Sequence, residues 1–223
     1  MIKTTKQWEI FSPSDEEVQT LAKLLNISTI AAKICLARNI KTKEQADALF
    51  TLNKEDFHDP FLLHHMDEAV ARIEEAIFNE EKILIYGDYD ADGVTSTSVM
   101  LKTLQDLGAN VQFYIPNRFT EGYGPNKNAF LHAHESGIKL VITVDTGIAA
   151  IEEAKYAQDL DFDLIITDHH EVGPILPDAF AIIHPKVSPN YPFKELAGVG
   201  VAFKLATALY GKVYDMTGFK TSV

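Results

Sequence analysis

Five short apolar runs constrain this chain more than any other feature in it. Ile83-Leu84-Ile85-Tyr86, Val111 to Ile115, Leu140 to Val144, Leu164 to Thr167 and Phe180 to Ile183 are strand-sized and near-continuously apolar. A strand with one wet face alternates polar and apolar residues, whereas one covered on both faces does not. Segments with helical spacing separate or follow the runs: Thr95 to Leu107, Asn126 to Glu135, Ala149 to Ala157 and Val199 to Tyr210. Strand and helix in alternation predict an α/β fold, a mostly parallel sheet with helices on both faces.

The first quarter reads as helical. Ser14-Asp15-Glu16-Glu17 is a capping box ahead of Val18, Leu21, Leu24 and Leu25. Ser28 can cap a second helix through Ile30, Ile34 and Leu36, and Thr42-Lys43-Glu44-Gln45 starts a third towards Leu49 and Phe50. Asp59-Pro60 marks a break, and Met66, Ala69, Val70, Ile73 and Ile77 then recur at helical spacing. The expected organisation is a small N-terminal helical segment, residues 1–57, before an α/β domain over 58–223.

No apolar stretch follows the lysines of Met1 to Trp8, so no signal peptide is expected, and the longest apolar runs are too short to span a bilayer. The single cysteine, Cys35, excludes an internal disulfide and fits a reducing cytoplasm; its apolar surroundings suggest a small core residue. The net charge of −12 opposes a general nucleic-acid binder with a basic patch. That objection weakens if some of the acids hold divalent cations, which invert the local charge. Glu74, Glu75, Glu80 and Glu81 read as a solvated helix face and its exit.

In open parallel sheets ligands collect at the carboxyl ends of strands, and acids and histidines fall there. Asp88, Asp90 and Asp92 follow the first run, Asp145 ends "LVITVDTG", and Asp168-His169-His170-Glu171 ends "LIITDHHE". One acid at a strand end is as readily a helix cap. Five aspartates and two adjacent histidines at three strand ends would repel one another strongly if left unpaired. Divalent cations resolve that conflict: carboxylate oxygens with imidazole nitrogens suit Mn²⁺, with Mg²⁺ as a hard substitute. Two cations sharing an aspartate form the two-metal arrangement for in-line attack on phosphorus. Asp88-x-Asp90-x-Asp92-Gly93 also opens like an EF-hand calcium loop. That loop needs a helix before it and a glutamate at its twelfth position, which here is Val99.

The motifs "YGDYDADGVTS", "VDTG" and "TDHHE", in that order, resemble the first three motifs of the DHH phosphoesterase superfamily. "DPFLLHHMDEAVARI", "IPNRFTEGYGPN" and "YPFKELAGVGVAFKL" extend the resemblance to its RecJ-type members, bacterial single-stranded-DNA-specific 5′→3′ exonucleases, from about Asp59 onward. The resemblance implies a cytoplasmic DNA repair and recombination enzyme that releases mononucleotides using two Mn²⁺ or Mg²⁺ ions. Asp90 and Asp92 would bind the two metals, with Asp88 assisting or binding as well; Asp145 would bridge them and His169 would be a ligand. Asp168 would support the ligands, and His170 would lie near the scissile phosphate as stabiliser or proton donor. Arg118, ending "IPNR", would hold a substrate phosphate, as a bidentate guanidinium can; its plain alternative is a surface salt bridge.

Members of the family also carry a metal-binding aspartate in a fourth motif, a second DHH-associated domain and an OB-type domain, and nothing after Gly211 matches these. The expectation is an N-terminal piece of such an enzyme, truncated before the fourth motif, with an incomplete metal shell, weak or partial metal occupancy and little or no activity alone. Two alternatives stand beside it. Phosphodiesterases for short oligonucleotides or cyclic dinucleotides usually carry a histidine four residues before the Asp90 position, where this chain has Tyr86. An inactive RecJ-like scaffold is the other, against which the full set of acids argues.

Other residues carry weaker signals. His184, before Pro185, can face the site or serve the structure, and His64 and His65 read as solvent-exposed at a helix start. His132 and His134, two apart on a helix, share no face. Gly198-Val199-Gly200 suggests close backbone approach before a helix, and Tyr123 between Gly122 and Gly124 suggests base stacking or a plain turn.

Overall fold

Hydroxyl caps start all three N-terminal helices. In a computed structural model, which describes residues 11–50 and 57–213, α1 (Asp15–Leu25) opens on a complete capping box. Glu17 N–H donates to Ser14 Oγ at 3.2 Å, and Ser14 N–H donates to Glu17 Oε2 at 2.9 Å. Ser28 accepts from Ala31 N–H to start α2 (Thr29–Ala37), and Thr42 accepts from Gln45 N–H at α3 (Lys43–Phe50). Val18, Leu21, Ala32, Cys35 and Leu36 bury together, so the lone cysteine is a core residue of this unit. The chain forms two compact units, Met1–Phe57 and His58–Val223. The segments Met1 to Trp8 and Thr217 to Val223 lie outside the described residues. Among the described residues no single helix is long and apolar enough to cross a membrane.

The second unit begins with a 3₁₀ turn, Pro60–Leu62, capped by Asp59, and helix α4 (Met66–Phe78). Then follow β1 (Lys82–Tyr86), α5 (Ala91–Asp106), β2 (Asn110–Tyr114), α6 (Lys127–Glu135) and β3 (Ile138–Val144). The last elements among the described residues are α7 (Ile151–Asp159), β4 (Asp163–Thr167), β5 (Ala181–Ile183) and α8 (Gly198–Val213). All strand pairs are parallel, in the order β2-β1-β3-β4-β5. Successive strand residues feed two different cores. Ile83, Ile85, Leu140, Ile142, Ile165 and Ile183 bury with residues of α4, α5 and α8. Leu84, Tyr86, Val141, Leu164, Ile166 and Ile182 bury with residues of α6 and α7. Coverage on both faces is the reason these runs do not alternate. β2, one of the two edge strands, departs from them: Phe113 there is 54 % exposed, whereas β5 at the other edge is buried.

Helix α5 starts at Ala91 rather than near Thr95, because Asp90 caps it by accepting from Gly93 N–H at 2.9 Å. The acidic stretch is thus a tight strand-to-helix turn and not an open loop. Glycine is required inside it: a Cβ on Gly93 would fall 2.5 Å from Asp88 O. From β1 the chain winds outward to β2, then returns to β3 on the other side of β1. The winding reverses between β1 and β3, and the carboxyl ends of these strands flank the crevice where such sheets bind ligands.

Candidate metal centre

Three adjoining strand ends bring the acids and histidines to that crevice. β1 leads to Asp88 and Asp90, β3 to Asp145, and β4 to Asp168, His169 and His170. Asp88 is buried, with Oδ1 accepting from Tyr89 N–H at 2.7 Å. Burial pushes its carboxyl up, against the opposing pull of that hydrogen bond. Asp90 is exposed. Ligand-type atoms of Asp88, Asp90 and Asp145 lie within 4.8 Å of one another, and so do those of Asp145, His169 and His170. Asp145 belongs to both groups.

Asp145 is 1 % exposed and has φ 61°, in the left-handed region that costs an L residue energy. Its N–H donates to Thr167 O at 3.0 Å, which ties the end of β3 to β4. Both of its carboxylate oxygens are buried without a hydrogen-bond partner. His169 Nε2 stands 3.1 Å from Oδ1, near enough for an ion pair with a charged ring but without the alignment of a hydrogen bond. Burial, and then the negative charge of Asp92, push the Asp145 carboxyl up to about 8. Buried polar oxygens left without partners are costly. Carboxylate oxygens and imidazole nitrogens converging on such a residue are the donor set of Mn²⁺ and Mg²⁺.

Asp168 contrasts with Asp145 in being saturated. Oδ1 accepts from His169 N–H at 2.7 Å, His170 N–H at 3.2 Å and His170 Nδ1 at 2.7 Å; Oδ2 accepts from Ile148 N–H at 2.9 Å. Burial alone would raise its pKa, but the hydrogen bonds from His170 and Ile148 outweigh it and hold the carboxyl below the usual range. The same bond raises the pKa of His170, against its own burial. His184 is fully buried and serves the backbone: Nε2–H donates to His170 O at 3.0 Å while Nδ1 accepts from Lys186 N–H at 3.1 Å. It therefore holds the histidine loop from behind. His65 is half-buried and not simply solvated, because Nδ1 accepts from Ile182 N–H at 3.1 Å on the free side of β5.

Asp92, expected with the other ligands, belongs to neither close group. Its Oδ2 lies 3.5 Å from His169 Nε2. The carboxylate also meets the N-terminus of α8, with Gly198 N–H donating to Oδ2 and Val199 N–H to Oδ1, each at 2.7 Å. The glycine pair did signal close backbone approach, but the partner was not visible in the sequence.

Arg118 is exposed and lies over the Tyr89 ring, 5.3 Å from its centroid, outside the two ligand groups. Tyr89 meets Tyr123 edge-on at 6.3 Å, and Tyr123 meets His170 edge-on at 5.8 Å. These rings carry the edge of the site towards a cleft of about 580 Å³ lined by Tyr123, Thr146, Gly147, Ile148, Asp168 and His170 among others. Tyr86 faces elsewhere: buried, it donates to Gly124 O and accepts from Asn126 Nδ2, both at 3.1 Å.

Known proteins resemble this chain in sequence and fold. The chain is 56 % identical over 216 residues to the single-stranded-DNA-specific exonuclease RecJ of Bacillus subtilis (strain 168), an alignment covering 96 % of this chain and 28 % of that protein. A crystal structure of exonuclease RecJ bound to manganese superposes with a TM-score of 0.64 at 36 % identity, covering 68 % of this chain and 39 % of the other. RecJ of Thermus thermophilus in complex with Mn²⁺ gives a TM-score of 0.66 at 30 % identity, covering 90 % and 28 %. The chain thus spans less than a third of the length of the B. subtilis relative. Residues 82–220, which contain all three strand-end clusters, match the model of the DHH family N-terminal domain, and the chain belongs to the DHH family.

Proposed function

We propose that this chain carries metal-binding and catalytic residues of an enzyme that hydrolyses phosphodiester bonds of single-stranded DNA from the 5′ end, in the cytoplasm. The observation that carries the reading is Asp145: buried, unpartnered at both oxygens, and common to two groups of ligand-type atoms. Asp88, Asp90 and Asp145 would hold one divalent cation, and Asp145 with His169 and Asp92 the other. Bound there, Mn²⁺ or Mg²⁺ would supply Lewis-acid polarisation of a phosphoryl oxygen and a water of lowered pKa. Arg118, braced on Tyr89, would grip a substrate phosphate through its planar fork. Asp168 accepts from His170 Nδ1 and favours the charged ring; Nε2, 3.4 Å from the Tyr123 hydroxyl, would give a proton to the departing oxygen. Cations at the acids also answer the net charge of −12, which otherwise disfavours a DNA substrate.

The name of the B. subtilis relative, a single-stranded-DNA-specific exonuclease, supports the substrate class. Tyr86, engaged by Gly124 and Asn126 where those phosphodiesterases carry a histidine, disfavours the oligonucleotide and cyclic-dinucleotide reading. The test is a Mn²⁺ titration of the chain beside a cleavage assay of the full-length protein on labelled single- and double-stranded DNA. Expected are Mn²⁺ binding that Asp145→Ala abolishes and mononucleotide release from 5′ ends of single strands only. Binding indifferent to Asp145→Ala, or none at all, would favour an inactive scaffold.

A further inference from the structure

The N-terminus of α8 abuts two carboxylates of the candidate metal centre. The first N–H groups of a helix have no partner within it. Here two of them, on Gly198 and Val199, are filled by the two oxygens of Asp92, each at 2.7 Å, from a residue 106 and 107 positions earlier. On the other side Gly198 lies against Asp145, where a Cβ would fall 2.2 Å from Oδ1 and 2.5 Å from Cγ. One peptide thus touches two of the carboxylates that converge on His169 Nε2, which stands 3.5 Å from Asp92 Oδ2 and 3.1 Å from Asp145 Oδ1.

We propose that Gly198 and Val199 are positioning residues of the metal centre: the first turn of α8 is a clamp that orients Asp92 and sets its distance from Asp145. Each carboxylate oxygen carries two lone pairs, so an oxygen that accepts an N–H can still face a cation. Two N–H bonds remove the rotation that would otherwise let Asp92 swing away. Glycine at 198 lets the clamp sit against Asp145 without displacing it. The inference rests on the metal reading of the site and adds to it the residues that fix its geometry.

The experiment compares three variants of the whole chain with the wild type by Mn²⁺ calorimetry and metal-free melting. Val199→Pro removes one donor at a helix start, where proline is tolerated, and Val199→Ala keeps that donor while trimming the side chain. Gly198→Ala drives a methyl into Asp145. Expected is a loss of Mn²⁺ affinity of about 10- to 100-fold in Val199→Pro and Gly198→Ala, the scale of a lost outer-shell partner, and wild-type affinity in Val199→Ala. Amide hydrogen exchange supplies a metal-independent arm: Asp92→Ala should deprotect the amides of residues 198 and 199 selectively, leaving the rest of α8 protected. Equal affinity in Val199→Pro and Val199→Ala, or unchanged protection in Asp92→Ala, overturns the clamp. A wild type that takes up no Mn²⁺ overturns the metal reading and the clamp with it, an outcome distinct from a wild type that binds while the variants match it.

Discussion

At the scale of single residues, two aspartates of equal burial have opposite electrostatics, and the difference separates their roles. Asp145 and Asp168 are each 1 % exposed. The Asp145 carboxylate oxygens lack hydrogen-bond donors and the group is pushed up to about 8 by burial and the charge of Asp92, whereas hydrogen bonds from His170 and Ile148 hold Asp168 below the usual range. A cation requires the deprotonated carboxylate, so on the proposed reading Mn²⁺ must displace the Asp145 proton. Apparent Mn²⁺ affinity should then climb as pH rises towards about 8, with release of about one proton near neutrality. Calorimetry in two buffers of different ionisation enthalpy counts that proton directly, and an affinity flat with pH across this range would refute the coupling. Asp168 acts on its neighbour instead. Asp168→Asn should lower the His170 pKa by removing the charged partner that raises it. The ring protons of His170 report the shift in an NMR titration; an unmoved midpoint would dissociate Asp168 from His170.

Among the elements, the strand-to-helix turns place the chemistry, and their tolerances are narrow. Gly93→Ala would set a methyl 2.5 Å from Asp88 O and 2.6 Å from Asp88 Cβ, both parts of the turn itself. Overpacking of this kind costs about 1–3 kcal/mol, so urea denaturation should find Gly93→Ala weaker by that amount. A variant as stable as wild type would mean that the turn has another conformation within easy reach. These turns were legible because strand runs and acids adjoin in sequence: the apolar pattern located β1, β3 and β4, and the acids followed directly. The start of α5 at Ala91 was not, since a run of alternating aspartates resembles a loop until Asp90 is seen capping the helix. The clamp of α8 on Asp92 was hidden for a different reason. Its partners are joined only by the fold, as are His65 and Ile182, 117 positions apart, and neither spacing nor periodicity links residues at such distances. The brace that His184 gives the backbone of His170 spans only 14 positions, yet it too depends on the pairing of β4 with β5.

For the molecule as a whole, the site makes stability depend on pH and metal together. The raised pKa of Asp145 means that its favourable contribution is complete below the ordinary aspartate range and drains away as pH rises to about 8. Asp88, raised by burial, and His170, raised by Asp168, act in the same direction, each losing its contribution as pH climbs through its folded value. On the acid side Asp168 and His184 oppose them. The lowered pKa of Asp168 gives stability that is present above the ordinary carboxylate range and lost as pH falls, and burial lowers the pKa of His184, so the neutral ring must be charged on acidification. The metal-free chain should therefore melt highest at mildly acidic pH and lose Tm steadily towards about pH 8. On the proposed reading Mn²⁺ displaces the protons of Asp145 and Asp88, so its stabilisation should grow over the same interval. At about 100 times Kd it amounts to roughly 2.7 kcal/mol, a rise of about 5–10 °C in Tm for a domain of this size. Melting curves with and without Mn²⁺ should thus diverge as pH rises, and Asp145→Asn, which carries no titratable carboxyl, should flatten the alkaline fall of the metal-free curve. Parallel curves, or a metal-free Tm that increases between about pH 5 and pH 8, would show that Asp145 is not the group that links the fold to the cation.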